Sequence, residues 1–164
     1  MGSAEDRAMR RHLHRGDASD LNLYLLSPTD PVGRNIVLGW SSAPWQVQDD
    51  LKLDGVVINQ ESLPGGDIIA YNRGDTAVHE VGHWLGLMHT FEGGCSQPND
   101  LVGDTPAQGE PSSTCEGVKD TCDLLPGDDP VHNFMDYAVD ACMNQFTPGQ
   151  VSRMQANWLA YRTP

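Results

Sequence analysis

Three histidines in the segment 79–89, which reads HEVGHWLGLMH, have the residue types and spacing of a metal site. His79 and His83 are four positions apart, so on an α-helix both imidazoles lie on one face, close enough to bind the same ion. Glu80 points to the side of that pair, where a carboxylate can accept a proton from a water without becoming a ligand itself. The pattern favours a catalytic zinc site with Glu80 as the general base.

His89 extends this pattern, provided that the helix ends before it. A continuous helix would turn His89 by about 240° around the axis relative to His83, away from the ion. Gly86 can take the left-handed conformation that ends a helix and turns the chain back. Three neutral imidazoles with a fourth position for water are typical of a catalytic zinc site, whereas structural sites are closed.

Two non-catalytic interpretations stay open on the residues alone. Cys95 is only six positions from His89, so cysteines and histidines could share a closed metal site in a binding module. The chain could also be an acidic, calcium-dependent interaction protein with a decayed active site. The alternative function is therefore a non-catalytic domain that binds zinc or calcium.

The composition indicates one globular domain, residues 1–164, without nucleic-acid or membrane partners. The chain shows no internal repeat and no apolar run long enough to cross a membrane. Its 23 acidic and 10 basic residues give a net charge of −13, which disfavours binding to nucleic acid or anionic lipid. Some of the carboxylates could bind calcium.

The four cysteines all follow the histidine segment, in a stretch rich in glycine and proline. An even number there predicts two disulfides and an oxidising compartment, although spacing alone leaves three pairings open. The first residues are charged and do not read as a secretory signal. We therefore expect Met1, Gly2 and Ser3 to be a tag remnant on a processed, exported protein, followed by a polar lead-in or short helix in which His12 and His14 lie on the surface.

Three short apolar runs precede the histidine segment and predict strands. Leu21, Leu23 and Leu25 alternate with polar positions, as in a half-buried strand. The runs 35–40 and 54–59 are the other two, with Trp40 and Trp45 expected in the core. If the strand 54–59 forms an exposed sheet edge near the metal, an extended peptide could pair with it.

Helical signals frame the loop-rich second half of the chain. Asp75 or Thr76 is expected to cap the histidine helix. Thr147 is expected to cap a C-terminal helix. Apolar residues at helical spacing are expected to give this helix its core-facing side: Val151, Met154, Trp158 and Tyr161.

With these motifs the sequence resembles a metzincin metallopeptidase of the pappalysin family, in its secreted ulilysin-like or cytophagalysin-like branch. The resemblance rests on DGVVINQESLPGG, GDTAVHEVGHWLGLMHTFEGGC, VGDTPAQ and NFMDYAVDACMNQFTPGQVSRM. It implies an α+β zincin domain: a twisted, mostly parallel sheet below the zinc helix, and a loop-rich, disulfide-linked lower half with a C-terminal helix.

The resemblance also implies roles for individual residues. His79, His83 and His89 would bind zinc and Glu80 would act as general base. Met135 would form the hydrophobic floor beneath the metal, and Tyr137 would lie near the zinc as a second catalytic residue. The disulfides would join Cys95 to Cys122 and Cys115 to Cys142.

Further expectations from the resemblance concern calcium and substrate. Asp100, Asp104 and Thr105 would bind calcium together with backbone carbonyls. Either Asp140, favouring Arg or Lys after the cleaved bond, or Ala141, favouring an apolar residue, would line the primed-side pocket. Substrate would pair with the strand edge formed by Val56, Val57 and Ile58. The expected protein is a secreted, monomeric zinc endopeptidase acting on proteins or peptides.

Overall fold

In the part of the chain that the structure describes, the regular structure consists of a small sheet, three α-helices and several short 3-10 helices. The computed structural model describes residues 3–27 and 37–163. The elements in chain order are α1 (Ala4–Leu13), β1 (Leu23–Leu26), β2 (Gly39–Ser41), β3 (Val56–Asn59), α2 (Asp75–Trp84) and α3 (Pro148–Asn157), which continues into a π-helical turn (Trp158–Arg162). The predicted strand 35–40 is described only from residue 37 onward.

β3 lies at the centre of the sheet. It pairs in parallel with β1 and antiparallel with β2, so the sheet is mixed. Val56, Val57 and Ile58 are 0–1% exposed. The prediction that these three residues form the substrate-binding edge is wrong, because both sides of β3 already carry a partner strand.

The exposed face of β1 is the leucine face, contrary to the sequence interpretation. Leu21, Leu23 and Leu25 are 38–53% exposed, whereas Tyr24 between them is buried. The alternation predicted the strand correctly but not which of its faces is buried, because an apolar period cannot show which face meets the core. The Tyr24 face is covered by α1, whose Arg10 guanidinium lies over the Tyr24 ring, 5.6 Å from its centroid.

α1 is anchored through a buried arginine. Arg10 donates hydrogen bonds to the carbonyls of Leu53 and Gly55, both at 3.0 Å, next to the start of β3. His14, at the end of this helix, is only 2% exposed, and neither ring nitrogen has a hydrogen-bond partner. The expectation that His14 lies on the surface is therefore wrong, because the helix end packs inward.

The C-terminal residues fasten α2 to the sheet through a buried ion pair. Arg162 and Asp54 are both fully buried and form two hydrogen bonds, at 2.8 and 3.1 Å. Arg162 also donates to the carbonyl of Trp84, the last residue of α2, and lies 3.5 Å above its ring. The apolar core of Val56, Ile58 and Trp84 surrounds this contact.

The lower half, residues 90–146, has no helix or strand. Disulfides Cys95–Cys122 and Cys115–Cys142 each span 27 positions, and this is the pairing that the resemblance implies. Buried polar side chains add to a small apolar cluster formed by Ala138, Cys142 and Met143. These polar residues include Thr90, Gln108, Asn133 and Asp136. Loops need such partners because their backbone groups lack ladder hydrogen bonds.

α3 is capped as the sequence predicts, but its apolar residues are not core. The Thr147 hydroxyl accepts from the Gln150 amide, and the Gln150 side chain accepts in return from the Thr147 amide. Val151 and Trp158 are 40% and 36% exposed, and Met154 and Tyr161 are half-buried. Gln150 and Arg162 form the buried side instead. None of the described helices is long and apolar enough to cross a membrane.

Candidate active site

α2 carries the first two histidines and begins one residue earlier than a side-chain cap would place it. Gly74 is the N-cap, with φ of +99°, and Asp75 is the first helical residue. Neither Asp75 nor Thr76 is the cap that the sequence predicts, because the left-handed turn at Gly74 begins the helix without a side-chain acceptor.

The helix ends at a glycine turn, which confirms the central geometric prediction. Gly86 has a φ of +89°, and its amide donates to the carbonyl of His83 at 2.8 Å. The Leu87 amide donates to the carbonyl of Gly82 at 2.9 Å. These bonds satisfy the last carbonyls of the helix and reverse the chain, so His89 returns to the side of α2.

The three imidazoles converge on one point. Nε2 of His83 lies 3.0 Å from Nε2 of His79 and 3.0 Å from Nε2 of His89. All three ligand atoms lie within 4.8 Å of one another, and no other such group of His, Cys, Asp or Glu occurs in residues 3–27 and 37–163. Phe91 stacks on His89, with ring centroids 4.7 Å apart and an interplanar angle of 7°.

Hydrogen bonds fix the tautomers needed for metal binding. His79 donates from Nδ1 to the carbonyl of Phe134 at 2.6 Å, and His83 donates from Nδ1 to the carbonyl of Leu87 at 2.8 Å. Their Nε2 atoms therefore present lone pairs to each other, an arrangement that a cation relieves. Backbone carbonyls as second partners are typical of metal-binding histidines.

The electrostatics of the site favour neutral imidazoles. Burial, together with the neighbouring histidines, lowers the pKa of His79 to about 3. Burial and His83 lower the pKa of His89 to about 4, and burial also lowers the pKa of His83. Neutral, converging nitrogens with fixed tautomers fit a zinc ion.

Glu80 lies beside the cluster without joining it. Its side chain is 7% exposed and packs against β2, where Gly39 is its neighbour. Burial alone raises the pKa of the Glu80 carboxyl to about 8. A buried carboxyl with a raised pKa can hold and release a proton near neutral pH.

Met135 and Tyr137 both approach the segment 79–89 from the lower half. Met135 is fully buried, and its Sδ atom lies so close to Gly82 that a methyl group there would be 2.5 Å away. The Tyr137 ring lies 4.8 Å from His89 and 5.7 Å from His79, centroid to centroid. Burial, followed by Glu80 and Glu92, raises the pKa of the tyrosine hydroxyl.

A cleft of about 850 Å³ opens beside the histidines and Glu80. Trp40 and Trp45 line it, and Trp45 is 40% exposed, so the expectation that both are core residues is wrong. The sequence interpretation also missed Tyr71, Phe91 and the strand β2 as parts of the site. Phe91 is only two positions from His89 in the chain, whereas Tyr71 and β2 are brought to the histidines by tertiary folding.

Neither candidate for the primed-side pocket wall lines this cleft. The Asp140 carboxylate instead accepts a hydrogen bond from the amide of Arg73 at 2.7 Å, and Ala141 is exposed. Ala138 and Met143 line the cleft from the same segment. Asp140 does not face the cleft, because its carboxylate binds the amide of Arg73 just before α2.

Of the three expected calcium ligands, Asp100 and Thr105 are in contact, whereas the Asp104 carboxylate is bound elsewhere. Asp100 is fully buried and accepts from the Thr105 hydroxyl at 2.8 Å. Asp104 accepts from the Thr147 hydroxyl and the Gly149 amide, at 2.7 and 2.8 Å, and so caps the start of α3. Its carboxylate serves the helix N-terminus, where negative charge is favoured.

The cysteines are not metal ligands, because all four are in disulfides. This excludes the shared cysteine–histidine site that the sequence left open. The metal centre consists of imidazoles with an open side towards Glu80 and the cleft.

Comparison with known proteins agrees with this geometry. Residues 21–159 match peptidase family M43, described as pregnancy-associated plasma protein-A. An extracellular metalloprotease of Pyricularia oryzae is 48% identical over 158 residues, covering 96% of this chain and 54% of the relative. One of Neurospora crassa is 46% identical over 158 residues, covering 94% and 54%. The chain spans about half the length of the curated relatives it matches.

A solved structure extends the likeness to the fold. Mature mirolysin of Tannerella forsythia, in complex with a cleaved peptide, superposes with a TM-score of 0.79 at 30% identity, covering 100% of this chain and 68% of that one. This confirms the α+β metallopeptidase fold. The family match and the cluster of His79, His83 and His89 identify a catalytic zinc site. The chain therefore belongs to the M43 family of metzincin metallopeptidases.

Proposed function

We propose that this chain is the single catalytic domain of a secreted zinc endopeptidase, with Glu80 as its general base. The observation that carries the proposal is the convergence of three neutral imidazoles next to one buried carboxyl at the wall of an open cleft. The extracellular metalloproteases among its relatives support both the reaction and the export of the protein.

The chain's own residues divide the chemistry among them. His79, His83 and His89 would hold the zinc ion, which would supply Lewis-acid chemistry by lowering the pKa of a water and polarising a carbonyl. The Glu80 carboxylate accepts a proton from the attacking water and returns it to the leaving amine. The Tyr137 hydroxyl donates a hydrogen bond to the oxyanion, a role supported by its place beside His89.

We assign the substrate edge to β2 in place of β3. Gly39, Trp40 and Ser41 line the cleft next to Glu80, and β2 has a single partner strand among the described residues. An extended peptide can pair with a free strand edge through main-chain hydrogen bonds. This pairing would hold the peptide along the cleft.

The cleft wall supports a preference for apolar side chains after the cleaved bond. Ala138 and Met143 line it, and the Asp140 carboxylate is bound to the Arg73 amide. We expect peptides with Leu or Phe at that position to be cleaved about tenfold faster than matched peptides with Arg. The reason is that an apolar pocket would have to desolvate the arginine charge, which costs free energy. Faster cleavage of the Arg peptides would overturn this assignment.

The proposed function is tested by Glu80→Gln, which keeps the size of the side chain but removes the base. We expect zinc content and unfolding temperature close to wild type, and a loss of casein cleavage of at least about 100-fold. A zinc chelator should abolish cleavage by the unmodified protein. Turnover by the variant close to wild type would refute the role of Glu80, and absence of cleavage by the unmodified protein would refute the function.

A structural calcium ion near Asp100 is a second part of the proposal. The support is a fully buried carboxylate that lies beside the Thr105 hydroxyl, which is itself in contact with the carbonyl of Val102. Calcium prefers oxygen ligands of this kind. Calcium added to the zinc-loaded protein should raise the unfolding temperature, whereas Asp100→Asn should remove that increase; no increase with either protein would refute calcium binding.

The monomeric state is a further part of the proposal. Light scattering of the zinc-loaded protein should give the mass of one chain, 17.9 kDa. A stable dimer that loses activity on dilution would contradict this.

A further inference from the structure

Gly39 stands in β2 at a position where its backbone does not require glycine. It is a strand residue, and its φ lies outside the left-handed region. Glycine weakens a strand interior, and it often marks a place where another group approaches closely. The groups that lie close to Gly39 therefore give the reason for this glycine.

The group above Gly39 is the side chain of Glu80. A Cβ atom built on Gly39 would lie 2.8 Å from Cγ of Glu80 and 3.1 Å from its Oε1. Contacts below about 3.0 Å are not tolerated between carbon atoms, so the glutamate would have to move. Because Glu80 is only 7% exposed, such a movement would displace its carboxylate.

We propose that Gly39 is a positioning residue for catalysis. Its missing side chain leaves a recess in β2 that holds Glu80 beside the three imidazoles. The inference rests on the proposed function, in which Glu80 moves the proton. A misplacement of about 1 Å in such a group can reduce a rate by about 100-fold.

One competing explanation comes from the neighbouring strand. The same Cβ atom would also lie 2.8 Å from the carbonyl oxygen of Val57 in β3. Crowding at Val57 would disturb strand pairing without a specific effect on Glu80. The experiment must therefore separate a catalytic effect from a weakened sheet.

The first measurement is the steady-state cleavage of a peptide by Gly39→Ala. We expect kcat to fall at least about tenfold, with KM within about twofold and zinc content unchanged, because the base moves while the cleft remains. Ser42→Ala is the matched control: it removes the hydroxyl bonded to Asp54 and Gly55, weakening the β2–β3 region away from Glu80. It should lower the unfolding temperature and keep kcat.

Equal losses of kcat in Gly39→Ala and Ser42→Ala would overturn the proposal, as would wild-type kcat in folded Gly39→Ala. Gly103→Ala, at a glycine with nothing within 4 Å of the added Cβ, should behave as wild type and shows that alanine itself is harmless.

The second measurement is a double-mutant cycle on stability, which does not depend on activity. Glu80→Ala removes Cγ, so Gly39→Ala should cost much less in unfolding temperature in the Glu80→Ala background than in wild type. An equal cost in both backgrounds, or failure of both Gly39→Ala proteins to fold, would assign the crowding to Val57 and overturn the proposal. If the unmodified protein cleaves nothing, the proposed function fails, but this coupling is still measured.

Discussion

The upper half of the protein, residues 3–27 and 37–89, places His79 and His83 on a hydrogen-bonded helix above a sheet. The lower half, residues 90–146, delivers Met135 and Tyr137 to the same site without a helix or strand. In the upper half, helices and strands join main-chain groups by hydrogen bonds, and apolar residues such as Val56 and Trp84 form the core. In the lower half, buried polar side chains add to the main-chain hydrogen bonds of the loops and to a small apolar cluster around Ala138 and Met143.

Buried amides and carboxylates perform this work in the lower half. Gln108 accepts from the Thr90 hydroxyl at 2.6 Å and donates to Ser112 and Asp136, both at 3.1 Å. Asn133 exchanges two hydrogen bonds with Gln150 and accepts from the Met135 amide. Asp136 and Met135 are neighbours in the chain, so this network holds the segment whose Met135 side chain packs against Gly82 of α2.

The largest effect is expected in the upper half, at its buried ion pair. Arg162→Ala leaves Asp54 charged and without its partner, so the free energy of unfolding should fall by about 3–5 kcal/mol in urea denaturation. Arg11→Ala removes an exposed ion pair with Asp50 and should cost less than about 1 kcal/mol. Similar losses from the two substitutions would show that the buried pair does not fasten α2.

Removing one disulfide should have the next largest effect, and it acts on the lower half. Replacing both Cys115 and Cys142 by serine releases a loop of 27 positions, which the chain-entropy relation values at about 3–4 kcal/mol. Urea denaturation should show this loss, and limited proteolysis should cut first within residues 90–146. Cleavage that begins in the sheet instead would show that this disulfide does not mainly stabilise the lower half.

A single buried amide should have an intermediate effect. Gln108→Ala leaves the Thr90 hydroxyl without its acceptor and should lower the free energy of unfolding by about 1–3 kcal/mol. Gln155→Ala, at an exposed position of α3, is the matched control and should change it by less than about 0.5 kcal/mol. A Gln108 variant as stable as its control would mean that the polar network does not support the lower half.

The smallest effect is a pH dependence in the upper half. Burial lowers the pKa of His14, so the folded protein resists its protonation, whereas the unfolded chain takes up the proton below about pH 6.5. Stability from this residue is therefore present above about pH 6.5 and is lost as the pH falls below it. His14→Gln should flatten the curve of stability against pH; a curve that this substitution leaves unchanged would contradict the burial of His14.

The sequence predicted the upper half of the site well, because its signals are local. The i, i+4 spacing of His79 and His83 and the glycine turn at Gly86 fix the three imidazoles within eleven residues. The strand periodicity also located β1 and β3. It could not give the order of the strands, so Val56 to Ile58 were expected at an edge that β2 occupies.

The parts that could not be predicted depend on contacts between distant residues. Asp54 and Arg162 are 108 positions apart, and neither carries a local signal for the other. Asp140 was a candidate for the pocket wall, but its partner, the Arg73 amide, is 67 positions away. The role of Gly39 likewise becomes visible only when β2 and α2 are packed together.

The most direct test of the central claim is X-ray absorption spectroscopy at the zinc edge of the zinc-loaded protein. The account predicts three imidazole nitrogens at about 2.0–2.1 Å, one light-atom ligand from solvent, and no sulfur. His89→Ala should reduce the number of imidazole ligands to two. Sulfur scattering at about 2.3 Å, or an unchanged imidazole count in the His89 variant, would contradict it.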